Sequence, residues 1–212
     1  MEPFLKGGGT LTNTGAITSG GLGVYIAGGG TVTNSGTISG GTASVEFAGS
    51  GTNTLTLQTG STLTGAAFGS TTSGATNALI LQGHGTANNN FVAFNTLNAQ
   101  GSGTWTLGGS STFGDTIVST GTLAVSGALT STTLEIQAGA QLNDTGDVSV
   151  DGAVTNRGNL TISGVTMHVV GAGGTFSQLA GGTTTLLNGG VLDPSHIVID
   201  SGVFGEIGRA HV

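Results

Sequence analysis

Three carboxylates lie close together in the stretch LNDTGDVSVDG: Asp144, Asp147 and Asp151. Calcium takes about six to eight oxygen ligands and favours carboxylates among them. The spacing matches neither the EF-hand loop nor the glycine- and aspartate-rich repeat that binds calcium in other solenoids. Acidic residues in ordinary turns are therefore the favoured interpretation. No metal site is predicted, and calcium binding is kept as the alternative.

The other groups able to do chemistry are few and scattered. The run 193–196 (DPSH) places an acid, a hydroxyl and an imidazole side by side. Triad members meet in space rather than along the chain, so a turn begun by Asp-Pro is the better interpretation. His84 and His168 are single histidines, which do not make a metal site, and Arg157 is the only lysine or arginine in residues 7–205. We predict no enzyme and no catalytic or cofactor-binding residue.

The composition argues against two kinds of partner. The 212 residues include 43 glycines, 6% charged side chains and a net charge of −7. With only three basic residues, the chain has no patch able to neutralise a phosphate backbone, so no nucleic acid is expected. No apolar run approaches the ~20 residues that span a bilayer, so no membrane insertion by this chain is expected. Cysteine is absent, which excludes disulfides and cysteine-based metal sites.

An internal repeat with a period of roughly 21 residues indicates the architecture that must position these groups. Residues 7–27 and 28–48 align without a gap and are identical at about half of their positions. Apolar and polar residues alternate over three short stretches of each copy, which is typical of half-buried strands. A coil of three such strands can bury its apolar face only against another coil, with Leu11 on Val32 and Ile17 on Ile38.

Weaker echoes of this pattern continue to the end of the chain, including NTLTLQ at 53–58 and NALILQ at 77–82. The predicted fold is therefore all-β, a parallel β-helix (β-solenoid) of about nine coils of roughly 21 residues. The alternation places Trp105 in the core beside Leu107. It places Tyr25 and Glu46 outside, where Tyr25 could contribute to a binding face.

The turns share the pattern T-N-x-G at Asn13, Asn34 and Asn156. Asparagine and glycine are the residues that tolerate positive φ at corners. Asparagine side chains stacked from coil to coil can also bond the turn backbone above and below. The pattern predicts a structural turn ladder made of these three asparagines.

Three stretches resemble the passenger regions of bacterial autotransporters and related large adhesins: residues 30–41 (GTVTNSGTISGG), 53–65 (NTLTLQTGSTLTG) and 103–129. The last resembles the autotransporter-associated strand repeat. The resemblance covers most of residues 7–205 and implies a right-handed parallel β-helix. It also implies an extracellular location on the bacterial cell surface, with outer-membrane anchoring through a C-terminal region missing from this sequence.

The expected organisation is a non-repeat segment at 1–6, a single parallel β-helix domain at 7–205 and a short tail at 206–212. The tail, EIGRAHV, resembles the translation of a widely used sequencing adapter and is excluded from functional argument. Residues 61–95, including GHGTANNN at 83–90, are the expected loop-bearing region.

The predicted function is that of a surface-exposed or secreted structural protein, an adhesin that presents binding loops to cells, matrix or a biofilm. Its expected partners are surface glycans or proteins, or further copies of itself. One alternative is a carbohydrate-active β-helix enzyme, a lyase or hydrolase, which would need paired carboxylates or a metal with a basic residue.

A second alternative is an ice-binding solenoid, suggested by pairs of threonines that flank a single residue. These pairs are Thr10/Thr12, Thr31/Thr33, Thr54/Thr56, Thr62/Thr64 and Thr104/Thr106. Stacked in register, they would present a flat lattice of hydroxyls and methyls. Threonine also favours exposed strand positions, which explains the pairs without ice binding.

Overall fold

The computed structural model describes residues 4–207, in which strands pair in parallel and stack into a β-solenoid of about nine turns, about 21 residues apart. The predicted all-β parallel β-helix is confirmed. The described part of the chain contains 28 strands and no helix, hence no helix long and apolar enough to cross a membrane.

In chain order the strands are β1 (Phe4–Leu5), β2 (Gly9–Asn13), β3 (Ala16–Ser19), β4 (Leu22–Ala27), β5 (Gly30–Asn34), β6 (Thr37–Gly40), β7 (Ala43–Ala48), β8 (Thr52–Leu57), β9 (Thr62–Thr64), β10 (Ala67–Phe68), β11 (Thr76–Gln82), β12 (Gly85–Ala87), β13 (Phe91–Val92), β14 (Phe94–Gln100), β15 (Thr104–Leu107), β16 (Ser110–Val118), β17 (Thr122–Val125), β18 (Ala128–Ile136), β19 (Gln141–Asp144), β20 (Asp147–Val150), β21 (Ala153–Asn156), β22 (Asn159–Ser163), β23 (Thr166–Val169), β24 (Thr175–Gln178), β25 (Thr183–Leu187), β26 (Val191–Pro194), β27 (His196–Ile199) and β28 (Val203–Ile207).

Three faces surround the core, because each coil contributes one strand to each of them. Face 1 begins with β2, β5, β8, β11 and β14 and ends with β21, β24 and β27. Face 2 consists of β3, β6 and β9, followed by a second sheet that runs from β12 to β28 through β15, β17, β19, β22 and β25. Face 3 begins with β1, β4, β7, β10 and β13 and ends with β20, β23 and β26.

Faces 1 and 3 merge at the long strands β16 and β18. These two strands pair with each other on both sides of a corner, through Phe113 with Ser131 and then Asp115 with Thr133. Beyond them β18 pairs with β20 through its first half and with β21 through its second half. The corner is therefore crossed by continuous strands here, whereas the first coils cross it by a glycine turn.

One inward column shows how the repeats stack. Its members, each paired with the next along face 1, are Leu11, Val32, Leu55, Leu79, Leu97, Thr116, Leu134, Val154, Phe176 and Ile197. The length of the coil varies along this column, since the step from Leu79 to its partner Leu97 is shorter than the step from Leu55 to Leu79. The spacing along the chain thus changes while the column of core side chains is preserved.

The core extends along this stack as far as Phe176, whereas Ile197 in the last coil is half exposed. Val32, Leu55 and Leu79 are fully buried, and Ile38 stacks on Ile17 as the repeat predicted. Burying one such side chain contributes roughly 1.5–3 kcal/mol, so stability grows with the number of coils. Trp105 is also buried, as predicted, and its ring packs against the backbone of Gly85 in the neighbouring coil.

The structure describes part of each of the two predicted end segments. Within the predicted non-repeat segment 1–6, Phe4–Leu5 form β1, which pairs with β4 in the same register as the repeats, Phe4 with Tyr25. The first three residues of this segment lie outside the described part of the chain. In the tail 206–212, residues 206 and 207 complete β28 beside β25, and residues 208–212 are not described.

The predicted loop-bearing region 61–95 is mostly regular. It contains β9 to β13, and its longest break is the segment 69–75. Asn89 joins the two sheets of face 2 within this region, since its Nδ2 donates to the carbonyl oxygens of Leu63 (3.0 Å) and Gly65 (2.7 Å). The region is therefore part of the stacked scaffold, with one protruding segment.

Candidate functional site

Asn13 and Asn34 end the equivalent strands β2 and β5, and both side chains are buried at the corner between faces 1 and 2. Asn13 Nδ2 donates to Asn34 Oδ1 at 2.7 Å, and Asn34 Nδ2 donates to Ser61 Oγ at 2.7 Å. Each asparagine Oδ1 also accepts from the N–H of the next glycine along the chain, at 3.3 Å. A Cβ on Gly36 would clash with the backbone of Gly15, so this corner requires glycine. These side chains stabilise the turn. Because most of their hydrogen-bonding groups already have a partner, few are available to bind a ligand.

Asn156 occupies the same column but belongs to a separate cluster. The residues between Asn34 and Asn156 in that column are apolar: Leu57, Leu81, Ala99, Val118 and Ile136. Asn156 Nδ2 instead donates to Gln178 Oε1 and Thr184 Oγ1, each at 3.1 Å, and its Oδ1 accepts from the N–H of Gly158 at 3.0 Å. The three predicted asparagines therefore do not form one continuous ladder.

A second asparagine cluster, at the corner between faces 3 and 1, was not predicted. Asn53 Nδ2 donates to Asn77 Oδ1 at 2.8 Å, and Asn77 Nδ2 donates to the carbonyl oxygens of Ser70 and Ala93, both at 2.8 Å. Asn95 Oδ1 accepts from the N–H of Asn77 at 2.6 Å. The similarity between NTLTLQ and NALILQ could have predicted this cluster, because it aligns Asn53 with Asn77.

Asp144 lies at a corner of its coil. It places a carboxylate in the kind of position that asparagine occupies at other corners. Its Oδ1 accepts from the N–H of Gly146 at 3.1 Å, the bond that the corner asparagines also make. Its column neighbours are Val125 and Ile162, and its Oδ2 is buried without a hydrogen-bond partner. Burial raises the pKa of Asp144 from 3.8 to about 6; the Gly146 hydrogen bond opposes this shift, and the nearby charge of Asp147 adds to it.

The three aspartates considered for calcium are not brought together. Asp144 is buried inside the coil, whereas Asp147, the first residue of β20, and Asp151, which follows that strand, are exposed. Within residues 4–207 no group of three or more His, Cys, Asp or Glu side chains is placed to hold a metal ion.

The run DPSH crosses the corner from β26 to β27 and does not assemble a triad. Asp193 Oδ2 lies 3.4 Å from Nδ1 of His168 in the preceding coil, and both side chains are largely exposed. His196 pairs with Thr175 on face 1 instead. His84 Nδ1 lies 3.4 Å from the hydroxyl of Thr59, at an exposed position.

Three of the five threonine pairs stack on face 1, in β2, β5 and β8. Thr10, Thr31 and Thr54 form one outward column, and Thr12, Thr33 and Thr56 form the next. In the following coil these columns continue as Ala78 and Ile80, which ends the lattice after three coils. The other two pairs lie in β9 and β15 on face 2.

A groove of about 390 Å³ opens on face 3, where the segment 69–75 leaves the coil. We call it the Phe68 groove, and it is lined by Glu46, Phe47, Ala48, Phe68 and residues 69–72. Phe68 and Glu46 are direct partners on neighbouring strands β10 and β7, and both are half-buried. The alternation predicted that Glu46 points outward but gave no sign of this groove, because its wall depends on how segment 69–75 folds.

No family model matches the chain, and neither a curated protein nor a solved structure matches it.

Proposed function

We propose that this chain is a non-catalytic scaffold of a bacterial surface or secreted adhesin, which presents its outward faces to cells, matrix or a biofilm. The observation that carries the proposal is the stack of parallel coils around one core, since such a stack makes a stiff rod. With strands about 4.8 Å apart, nine turns give a rod of roughly 40–45 Å. A rigid rod can hold many weak contacts in register at little entropic cost.

Two further features support a role at the cell surface. The stretches that resemble autotransporter passengers form regular strand–corner–strand units here, β5 with β6, β8 with β9, and β15 to β18. The chain is also free of cysteine, so its stability rests on stacking and needs no oxidative folding step. We propose an extracellular location with outer-membrane anchoring, and surface glycans, surface proteins or other copies of the protein as partners.

Adhesion of protein-coated beads tests this proposal. The folded chain is coupled to beads, which are washed over epithelial cells, collagen and an established biofilm, with beads carrying heat-unfolded chain as the control. We expect retention of the folded chain on at least one surface. Equal retention of both bead types would contradict the proposal, and so would release of unsaturated oligosaccharides from a polysaccharide incubated with the protein.

Ice binding is the second candidate, favoured by the stacked threonine columns of face 1. Alternate residues of a strand are roughly 6.6 Å apart and coils are about 4.8 Å apart, which gives a regular two-dimensional lattice of hydroxyl and methyl groups. The lattice covers three coils only, and Thr56 is nearly buried. A thermal hysteresis assay decides: activity that is lost in Thr33→Leu would favour ice binding, and its absence in the parent chain would remove this candidate.

A further inference from the structure

We propose that the Phe68 groove is a binding site for neutral saccharide chains. The inference deepens the adhesin function proposed above and rests on it for the biological role of the site. It follows from the chemistry of the groove and of the column of side chains that extends from it along face 3.

The groove combines an aromatic ring, a carboxylate and hydroxyl groups. Phe68 offers a partly exposed ring and Glu46 a carboxylate, while Thr71 and Thr72 are exposed on the rim. Saccharides carry apolar C–H faces that pack on aromatic rings and hydroxyl groups that donate to carboxylates. Within residues 4–207 no hydrogen bond or ion pair engages the Glu46 carboxylate, so it is free to accept from a ligand.

The wall of the groove is held in place before any ligand arrives. Ser70 Oγ donates to the carbonyl oxygen of Gly49 at 2.7 Å and accepts from the N–H of Thr72 at 3.2 Å. The N–H of Ser70 donates to Asn77 Oδ1 at 2.9 Å, which ties the segment to the second asparagine cluster. A preformed wall reduces the entropy lost on binding.

The column beyond the groove favours an extended ligand. Tyr25 and Phe68 lie on either side of Glu46 in one outward column, each about 4.8 Å away along the axis. A ligand of repeating units with apolar faces and hydroxyls matches an aromatic–acid–aromatic row, whereas a small amine would use only Glu46 and Phe68. The lining contains no lysine or arginine, which disfavours an acidic polysaccharide.

Calorimetric titration of the full chain tests the site. The probes are neutral oligosaccharides (cellotetraose, chitotriose and laminaritriose), with choline chloride as the amine and trigalacturonic acid as the acidic sugar. We expect at least one neutral probe to bind with a Kd below roughly 1 mM. Glu46→Gln, which removes a charged acceptor, and Phe68→Leu, which keeps an apolar side chain but removes the flat ring, should each weaken binding about tenfold.

Two control variants show whether a loss of oligosaccharide binding is specific to the groove. Val191→Ala alters an exposed apolar residue of β26 at the far end of face 3, and Glu135→Gln alters an acid on face 1. Both should bind within about twofold of the parent chain. Circular dichroism of every variant shows whether it is folded, and Glu46→Gln keeps the test valid if Phe68→Leu is not.

Several results would overturn the inference: no binding of any neutral probe, binding unaffected by Glu46→Gln, or tighter binding of choline or trigalacturonic acid. Bead adhesion that survives Glu46→Gln unchanged, together with no binding of any neutral probe, would remove this site while leaving the adhesin function standing. Oligosaccharide binding without any bead adhesion would instead leave the site and remove the adhesin function.

Discussion

Replacing Asp144 by asparagine should stabilise the protein at neutral pH, which is unusual for a change at a fully buried residue. The Asp144 carboxylate has an elevated pKa of about 6 because it is buried, against 3.8 for the exposed group. Asparagine has the same shape and no charge. Its Nδ2 could donate to the turn backbone from the position of the unpartnered Oδ2, as Asn13 Nδ2 does to the carbonyl oxygen of Gly15.

The size and pH dependence follow from linkage. One pKa unit corresponds to about 1.4 kcal/mol, so the difference between 3.8 and about 6 makes the ionised folded state less stable by roughly 3 kcal/mol. Because the folded pKa is raised, the folded state binds more protons than the unfolded chain between these two values. The contribution of Asp144 to the free energy of unfolding is therefore most favourable below pH 3.8. This contribution is lost as the pH rises through about 6.

Thermal unfolding followed by circular dichroism measures the effect at pH 4 and pH 8. For a chain of this size roughly 3 kcal/mol corresponds to a Tm increase of about 6–12 °C for Asp144→Asn at pH 8. At pH 4 the advantage should nearly vanish, since the parent carboxyl is then largely protonated. The exposed Asp151→Asn should shift the free energy of unfolding by less than about 0.5 kcal/mol at either pH. An Asp144→Asn variant no more stable than the parent at pH 8, or equally stabilised at both pH values, would refute this reasoning.

Four further changes test other parts of the structure. Asn34→Ala removes the hydrogen bonds to Ser61 and to its own turn, together with one of the acceptors of Asn13 Nδ2, so we expect a loss of roughly 2–4 kcal/mol in urea unfolding; a loss below about 1 kcal/mol would show that the corner bonds matter little. Leu79→Ala opens a cavity in the middle of the core and should cost about 2–5 kcal/mol by the same measurement, and a smaller loss would contradict the tight stacking. Arg157→Ala breaks an exposed 2.8 Å pair with Glu135 and should change stability by less than about 1 kcal/mol, with a larger effect pointing to a role beyond that pair. EDTA should leave the Tm unchanged, because the three candidate calcium ligands lie apart, and a chelator-induced decrease would revive the calcium alternative.

Much of the fold is readable in the sequence because the same constraint repeats in every coil. Leu11, Val32 and Leu55 must each fill the same place in the core, so alternation and period survive even where the rest of the repeat has diverged. The corner glycines and asparagines are similarly constrained by backbone geometry. The number of coils and the inward position of Trp105 follow from these rules.

The features that sequence reasoning missed depend on contacts between distant residues. Thr116 occupies a core column otherwise filled by apolar residues, and this is tolerated because its hydroxyl lies 2.9 Å from that of Ser131 across the bend of β16 and β18. The Phe68 groove likewise exists because Ser70 is hydrogen-bonded to Gly49 in the preceding coil. No local sequence pattern predicts this contact. Asp144 was recognisable in retrospect, since D-T-G repeats the N-T-G of Asn13.

Functional detail was harder to predict than the fold for a physical reason. A strand position that faces outward is weakly constrained by stacking, so threonine or glutamate there satisfies the fold with or without a ligand. Only the three-dimensional neighbours distinguish an outward residue that binds a ligand from one that does not. Glu46 is an example, because its partner Phe68 belongs to the next coil and is distant in sequence.

The most direct test of the stacked rod is a distance measurement between spin labels at Thr12 and Thr155. Both belong to one outward column of face 1, through Thr33, Thr56, Ile80, Asn98, Ile117 and Glu135. Seven coil steps of about 4.8 Å separate them, which gives roughly 34 Å. Because the chain has no cysteine of its own, Thr12→Cys and Thr155→Cys can be labelled specifically. Pulsed electron–electron double resonance should return one narrow distribution near this distance. A broad distribution, or a narrow one far from roughly 34 Å, would contradict the parallel stack on which the proposed functions depend.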